Sequence, residues 1–216
     1  VAPLRGDLAF SGTFLGTLEA PLVAGKLGLN NGAIGGIPID SLAIDFDYAS
    51  AVLNLGRIDL VLPQNQKIEG SMQWLLGREN LEYSGVYRYN QLDLEWVALQ
   101  LPDLLDQLAQ VGGEASGELL IQGVLGQGFP DIIGGSTRIA KPMLLQNLFQ
   151  EIRADWSWDQ GFLDLTYAEA ETRFGSFSGS GDLQWALDQA VVAQVFGHDL
   201  DLVGLGSWLA QAGVSV

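Results

Sequence analysis

The 216-residue sequence contains no cysteine and a single histidine, His198. The first absence excludes disulfides, thiolate metal sites and a cysteine nucleophile, and is compatible with an oxidising compartment. The second means that any Ser-His-Asp triad would have to be built on His198, and no G-x-S-x-G elbow accompanies it. Basic residues are scarce too, with 10 Lys and Arg against 26 Asp and Glu and a formal net charge of −16. There is no basic stripe to neutralise phosphates, so charge-driven binding to nucleic acid or to an anionic bilayer surface is disfavoured. Partners are expected to be neutral, basic or apolar. No run approaches the roughly 18 consecutive apolar residues that cross a bilayer as a helix.

What is present is apolar: 48% of the residues are hydrophobic, enough to bury a core. Such acidity normally accompanies a polar chain that folds poorly. The acid is therefore expected to decorate one surface of an apolar structure, and the dominant sequence period, two, says how. Leu42, Ile44, Phe46 and Tyr48 alternate with Ala43, Asp45 and Asp47, and Leu92, Leu94 and Trp96 alternate with Asp93 and Glu95. These read as half-buried strands, one face greasy and the other acidic. Asn30-Asn31-Gly32 reads as a turn, because Asn and Gly tolerate positive φ.

The chain also repeats itself. Gly6-x-Leu8-x-Phe10-x-Gly12 returns as Gly117-x-Leu119-x-Ile121-x-Gly123, "AIDFDY" from Ala43 as "RADWSW" from Arg153, and "SMQWLL" from Ser71 as "DLQWAL" from Asp182, in the same order and about 110 residues later. Two repeats are expected, 1–112 and 113–216, with roughly eight short strands each and both ends falling mid-pattern, as in a piece of a longer array. A helix is expected near the end of each: Pro102 to Gly112, with Leu104, Leu105 and Leu108 on one face, and Leu202 to Ala212. Leu145, Leu148, Phe149 and Ile152 have helical spacing, but no more than a helical turn is expected there.

The stretches "LPDLLDQLAQVGGEASGELLIQGVLGQGFPD" and "GDLAFSGTFLGTLEAPLVAGKLGLNNG" resemble the repeats of the TamB family, the translocation and assembly module proteins, and more broadly the AsmA-like superfamily of bridge-like lipid-transfer proteins, which includes plastid envelope import relatives. The shared pattern is loose and apolar, with no catalytic signature. The resemblance implies an elongated antiparallel sheet curled into an open trough, a β-taco, apolar inside and polar outside. It implies a place in the periplasm or intermembrane space, a membrane-anchored full-length protein, phospholipid movement, and assembly or import of outer-membrane proteins with a partner barrel. The family's N-terminal anchor and its C-terminal barrel-engaging domain are not expected within this stretch of sequence.

Leu8, Phe10, Leu27, Leu29, Ile44, Phe46, Leu53, Leu55, Leu60, Leu62, Met72, Trp74, Leu94, Trp96, Leu119, Ile121, Trp156, Leu163, Leu165, Leu183 and Trp185 are the candidate groove lining. Each methylene removed from water contributes about 0.8 kcal/mol, so such a face holds an acyl chain without specific polar contacts. The residues alone favour a closed sandwich core built from the same side chains; the resemblance favours the open groove. Carboxylate pairs at Asp45/Asp47, Asp93/Glu95 and Asp199/Asp201 suit a solvated outer face better than a Ca²⁺ site, and no twelve-residue calcium loop is present. The glycines of "GAIGGIPI" and "GSFSGSGDL" precede no Lys-bearing helix and read as bends rather than phosphate loops. Trp74, Trp96, Trp156, Trp158 and Trp185 read as core or groove lining rather than a sugar platform. No cofactor, metal or covalent chemistry is expected. The expected function is a segment of a lipid conduit; the alternative is a scaffold that receives a client strand by β-augmentation, with a polysaccharide-active or adhesive β-solenoid a distant third.

Overall fold

A computed structural model describes residues 4–77, 80–100, 112–125, 130–143, 149–159, 162–184 and 191–211. The protein is all-β apart from short helices. The elements are β1 (Leu4–Gly16), β2 (Pro21–Ile34), β3 (Ile37–Ala49), β4 (Val52–Leu62), β5 (Gln66–Leu75), β6 (Glu82–Asp93), α1 (Leu94–Gln100), β7 (Glu114–Val124), β8 (Ile132–Ala140), β9 (Phe149–Asp159), β10 (Phe162–Thr172), β11 (Gly175–Gln184), β12 (Val191–His198) and α2 (Leu202–Gln211). Among the described residues the strands hydrogen-bond in chain order as one open antiparallel sheet, in which β1 and β12 each have a single neighbour. Among the described residues six strands precede α1 and six more lie between α1 and α2. Among the described residues no helix is long and apolar enough to cross a membrane. The chain forms two compact units, one of them β1 to β6 as far as Gln91 together with Glu118–Ile133, the other Leu92–Gly117 and the chain from Gly134 onward.

Among the described residues the twelve strands are fewer and longer than the roughly eight short strands per repeat expected from the sequence. β1 runs unbroken through Gly12, which pairs with Gly25 of β2. A strand glycine keeps its place in the ladder and marks close approach rather than a break. The Asn30-Asn31-Gly32 turn is also corrected. Asn31 does take φ 48, but β2 continues past it to Ile34. The reversal falls on Gly35-Gly36, at φ 64 and 93, between the paired Ile34 and Ile37. Positive φ at both central residues gives the two-residue hairpin turn whose twist matches its strands, so the "GAIGGIPI" glycines form a hairpin. Ser50 and Ala51, at φ 51 and 62, make the same kind of connection between β3 and β4.

Of the expected helices, Leu202 to Ala212 appears as α2 and Pro102 to Gly112 lies almost wholly outside the described residues. α1 occupies Leu94–Gln100, where sequence alternation predicted a strand. The reason is Asp93, whose Oδ1 accepts hydrogen bonds from the backbone N–H groups of Glu95 at 3.0 Å and Trp96 at 3.1 Å. An Asp that satisfies the first free amides of a turn starts a helix and ends the strand before it. In the other ambiguous window, Phe149 and Ile152 belong to β9, while 144–148 lie outside the described residues.

Inside the first unit, Gly25 is where two strands' aromatic side chains meet. Phe10 of β1 and Phe46 of β3 stack with ring centroids 5.9 Å apart, on the two strands flanking β2. A Cβ at Gly25 would come within 2.8 Å of the Phe46 ring and 2.6 Å of the Ser11 carbonyl oxygen. Gly25→Val is therefore expected to destabilise the protein by about 1–3 kcal/mol. Gly56→Ala, whose new Cβ would meet nothing within 4 Å, should stay within about 0.5 kcal/mol. Urea unfolding of the two variants checks this; equal midpoints would refute the packing role of Gly25.

Candidate functional site

Register decides which side chains share a face. In the first unit Phe10 pairs with Leu27 and Leu27 with Ile44; Leu8 pairs with Leu29, Leu29 with Leu42, and Leu42 with Leu60. On β4 and β5, Leu53 faces Trp74 and Leu55 faces Met72, and across β6 Trp74 faces Tyr83. Leu62 follows Leu60 by two, opposite Gln66. One face of β1 to β5 therefore gathers Leu8, Phe10, Leu27, Leu29, Ile44, Phe46, Leu53, Leu55, Leu60, Leu62, Met72 and Trp74, all of them candidate lining residues. In β7, Leu119 and Ile121 alternate with Gly123, where an added Cβ would lie 2.8 Å from the Tyr83 hydroxyl.

The second unit has its own apolar face. Leu165 pairs with Trp156 on one side and Gly181 on the other, Leu163 with Trp158, Ala170 with Ile152 and Phe177. The Trp156 indole N–H donates to Thr137 Oγ1 at 2.9 Å. The backbone of Leu183 stands opposite Leu163. Trp185 lies outside the described residues. Leu94 and Trp96 are corrected: both belong to α1, so neither continues the alternation of a strand. The sequence reading omitted Leu42, Ile58, Tyr83, Tyr87, Ile152, Phe177, Val195 and Leu205. For Tyr83 and Tyr87 the signal was present, since they alternate with Ser84 and Val86 in β6.

One irregularity on β4 keeps the faces pure. Leu55 pairs with Met72 but Ile58 with Gly70, so three residues of β4 span two of β5. This bulge at Gly56-Arg57 carries the apolar side from Leu55 to Ile58 and leaves Arg57 opposite Asp45 on the other face. In β10 the step from Leu165 to Ala168 against Gly181 and Gly179 does the same.

These apolar faces are not sealed. Among the described residues only Leu29, Ile39, Leu62 and Ala115 are buried hydrophobics, and Leu8 and Phe10 are 57% and 65% exposed. The closed sandwich core favoured by the residues alone is not what forms. In the second unit the face deepens into a pocket of about 480 Å³, lined by Phe149, Ile152, Leu165, Ala168, Ala170, Phe177, Gly179, Gly181, Ala193 and Val195 from the strands and Leu205 from α2.

The opposite face carries the charge. Lys26 Nζ lies 3.3 Å from Asp45, and Asn54 bridges strands by donating to Asp47 at 2.8 Å and accepting from Gln73 at 2.8 Å. Ser178 Oγ meets the lone histidine's Nε2 at 3.1 Å on this exposed side of β11 and β12. Among the described residues no three His, Asp or Glu side chains gather as a metal site. Glu151 sits between Arg138, whose Nε donates to it at 2.7 Å, and Arg153. The Arg138 hydrogen bond, and then that of Arg153, holds the Glu151 carboxyl below its ordinary value. No family model, curated protein or solved structure matches the chain.

A lowered native pKa stabilises fully above the ordinary carboxyl value and is lost as pH falls through the lowered one. Arg138→Gln should raise the Glu151 pKa toward that ordinary value, so that its contribution is lost at a higher pH during acidification. NMR titration of the Glu151 side chain reads this directly; an unmoved titration would show that the pair does not act on Glu151.

Proposed function

We propose that this chain is a non-enzymatic segment of a lipid conduit, with the apolar faces holding phospholipid acyl chains and the acidic face turned to water. The observation that carries this reading is the pairing of register with exposure: Leu8, Phe10, Leu27, Ile44, Phe46, Leu55 and Met72 share one face, and none of them is buried. A contiguous exposed apolar surface larger than a few hundred Å² is uncommon on a soluble protein and marks a binding surface. Acyl chains suit it, because dispersion and water release need no directional partner on such a face. The resemblance to TamB-like repeats supports the same reading. It adds a place between two envelope membranes, continuation of the array in a longer anchored protein, and an outer-membrane barrel as partner.

A second reading has its own observation. β1 and β12 each have one neighbour, and β12 exposes Val192, Val195 and Phe196 at 67%, 68% and 58%. An exposed apolar edge is a template for an added strand, as in a scaffold for outer-membrane protein assembly or protein import.

Native mass spectrometry after mild purification is expected to recover bound phospholipid from the wild type. Phe46→Glu, which places a charge beside Phe10 on the apolar face, should reduce that recovery at least tenfold without unfolding the chain, as circular dichroism would check. Protein free of lipid, or lipid retained equally by the variant, would overturn the conduit. A protein client crosslinked through β12 in lipid-free material would favour the scaffold.

A further inference from the structure

We propose that the pocket bordered by Leu205 of α2 is a discrete site for one unbranched acyl chain, and that α2 is the lid that admits it. The inference rests on the lipid reading of the apolar face and adds to it a site, an occupant and a gate. The pocket's volume of about 480 Å³ lies within the range of about 300–1,000 Å³ that small-molecule sites occupy. Its space comes from small residues on neighbouring strands. Ala168 stands opposite Gly179, and Gly181 opposite Ala193; a Cβ at Gly179 or Gly181 would run into the β12 backbone, so both positions stay without a side chain. Ile152, Phe177 and Leu205 supply the larger apolar surface. That lining exposes almost nothing polar, so a carboxylate or phosphate finds no partner inside and its headgroup stays at the rim. A flexible hydrocarbon chain is the occupant that this chemistry fits.

α2, which borders the pocket through Leu205, is firmly held at one end and weak in its body. The Asp201 N–H donates to the Phe174 carbonyl at 2.8 Å, and Asp201 Oδ1 accepts the Gly204 N–H at 3.0 Å. These bonds fix the first turn beside the β10–β11 hairpin. Beyond them come Gly204 and Gly206, and Ser207 Oγ donates back to the Val203 carbonyl at 2.9 Å, all of which weaken or bend a helix. Leu202 and Val203 are 70% and 81% exposed, so little apolar burial retains the first turn. Among the described residues, Leu205 is the side chain of α2 that lines the pocket. The anchored turn is the hinge and Leu205 the plug.

The test uses the full 216-residue chain and a series of saturated fatty acids of increasing length, with binding and exchange rates measured by displacement of a fluorescent polyene fatty acid. Affinity is expected to rise by up to about fourfold per methylene and then level off once the pocket is full. Ala168→Phe, which fills the pocket, should weaken long-chain binding about tenfold. A Cβ at Gly206 meets nothing within 4 Å, so Gly206→Ala stiffens the lid without touching the site; it should slow entry and exit about fivefold with affinity unchanged, and it keeps the lid testable should Ala168→Phe fail to fold. Phe46→Glu, in the other unit, should leave this fatty-acid site unaltered. Affinity that climbs without levelling and ignores Ala168→Phe would place the chains on the open face, overturning the pocket while the conduit stands. Exchange rates unchanged by Gly206→Ala would overturn the lid. No fatty-acid binding would overturn the site, and phospholipid recovery, measured separately, would then decide the conduit.

Discussion

Everything in this protein depends on the register of its antiparallel ladder. Side chains alternate with a period of two, so a slip of one residue in any strand would send its leucines to the charged side and its carboxylates to the apolar side. The described pairings hold that phase from β1 to β6 and again from β9 to β12, with Phe10, Leu27 and Ile44 in one row and Ser11, Lys26 and Asp45 in the next. The bulges at Gly56-Arg57 and between Leu165 and Ala168 belong to the same constraint. Each inserts one residue where the sequence changes phase, and so keeps Arg57 beside Asp45 rather than among leucines.

That phase produces a face that is apolar but unfinished. In an ordinary sandwich a second sheet would cover it, and the many hydrophobic residues would be buried. Here most of the alternating residues of the first unit remain half-buried and those of β1 are exposed. The sheet gains what it can from itself. Phe10 and Phe46 stack across β2 beside Gly25, and the Tyr87 ring lies over Gly70 and Gly85, where added Cβ atoms would meet it at 2.6 and 2.9 Å. Partial burial of Tyr87 raises its pKa, as expected for a phenol partly withdrawn from water. These rings cover glycines that would otherwise leave backbone bare, while the outer sides of the larger residues stay available to something else.

Much of this was legible in the chain. Alternation alone separated Leu42, Ile44 and Phe46 from Asp45 and Asp47, and the helical spacing of Leu202 to Ala212 anticipated α2. The misreadings have a common origin. Leu94 and Trp96 continue the alternation of Leu92, yet Asp93 captures two backbone amides and turns the chain into α1. Asn31 has the positive φ expected of a turn residue, yet it lies inside β2 and the reversal waits for Gly35-Gly36. In both places two local signals competed, and pairing with another strand, or capping of a free turn, chose between them. The apolar positions of β4 change phase between Leu55 and Leu60, a visible sign of a bulge, and in the new phase Ile58 belongs to the same face as Leu60 and Leu62.

The sequence by itself determined the fold class and which residues lie on which face, because a pleated strand converts alternation into sides without reference to anything remote. Tertiary structure decided which face stays open, where the ladder bulges, and that a pocket forms where Leu205 of α2 meets the strands. Those features are set by residues far apart in the chain, such as Phe10 with Phe46, or Ile152 with Phe177 and Leu205. Whether such side chains meet depends on distances in space, which no local period encodes.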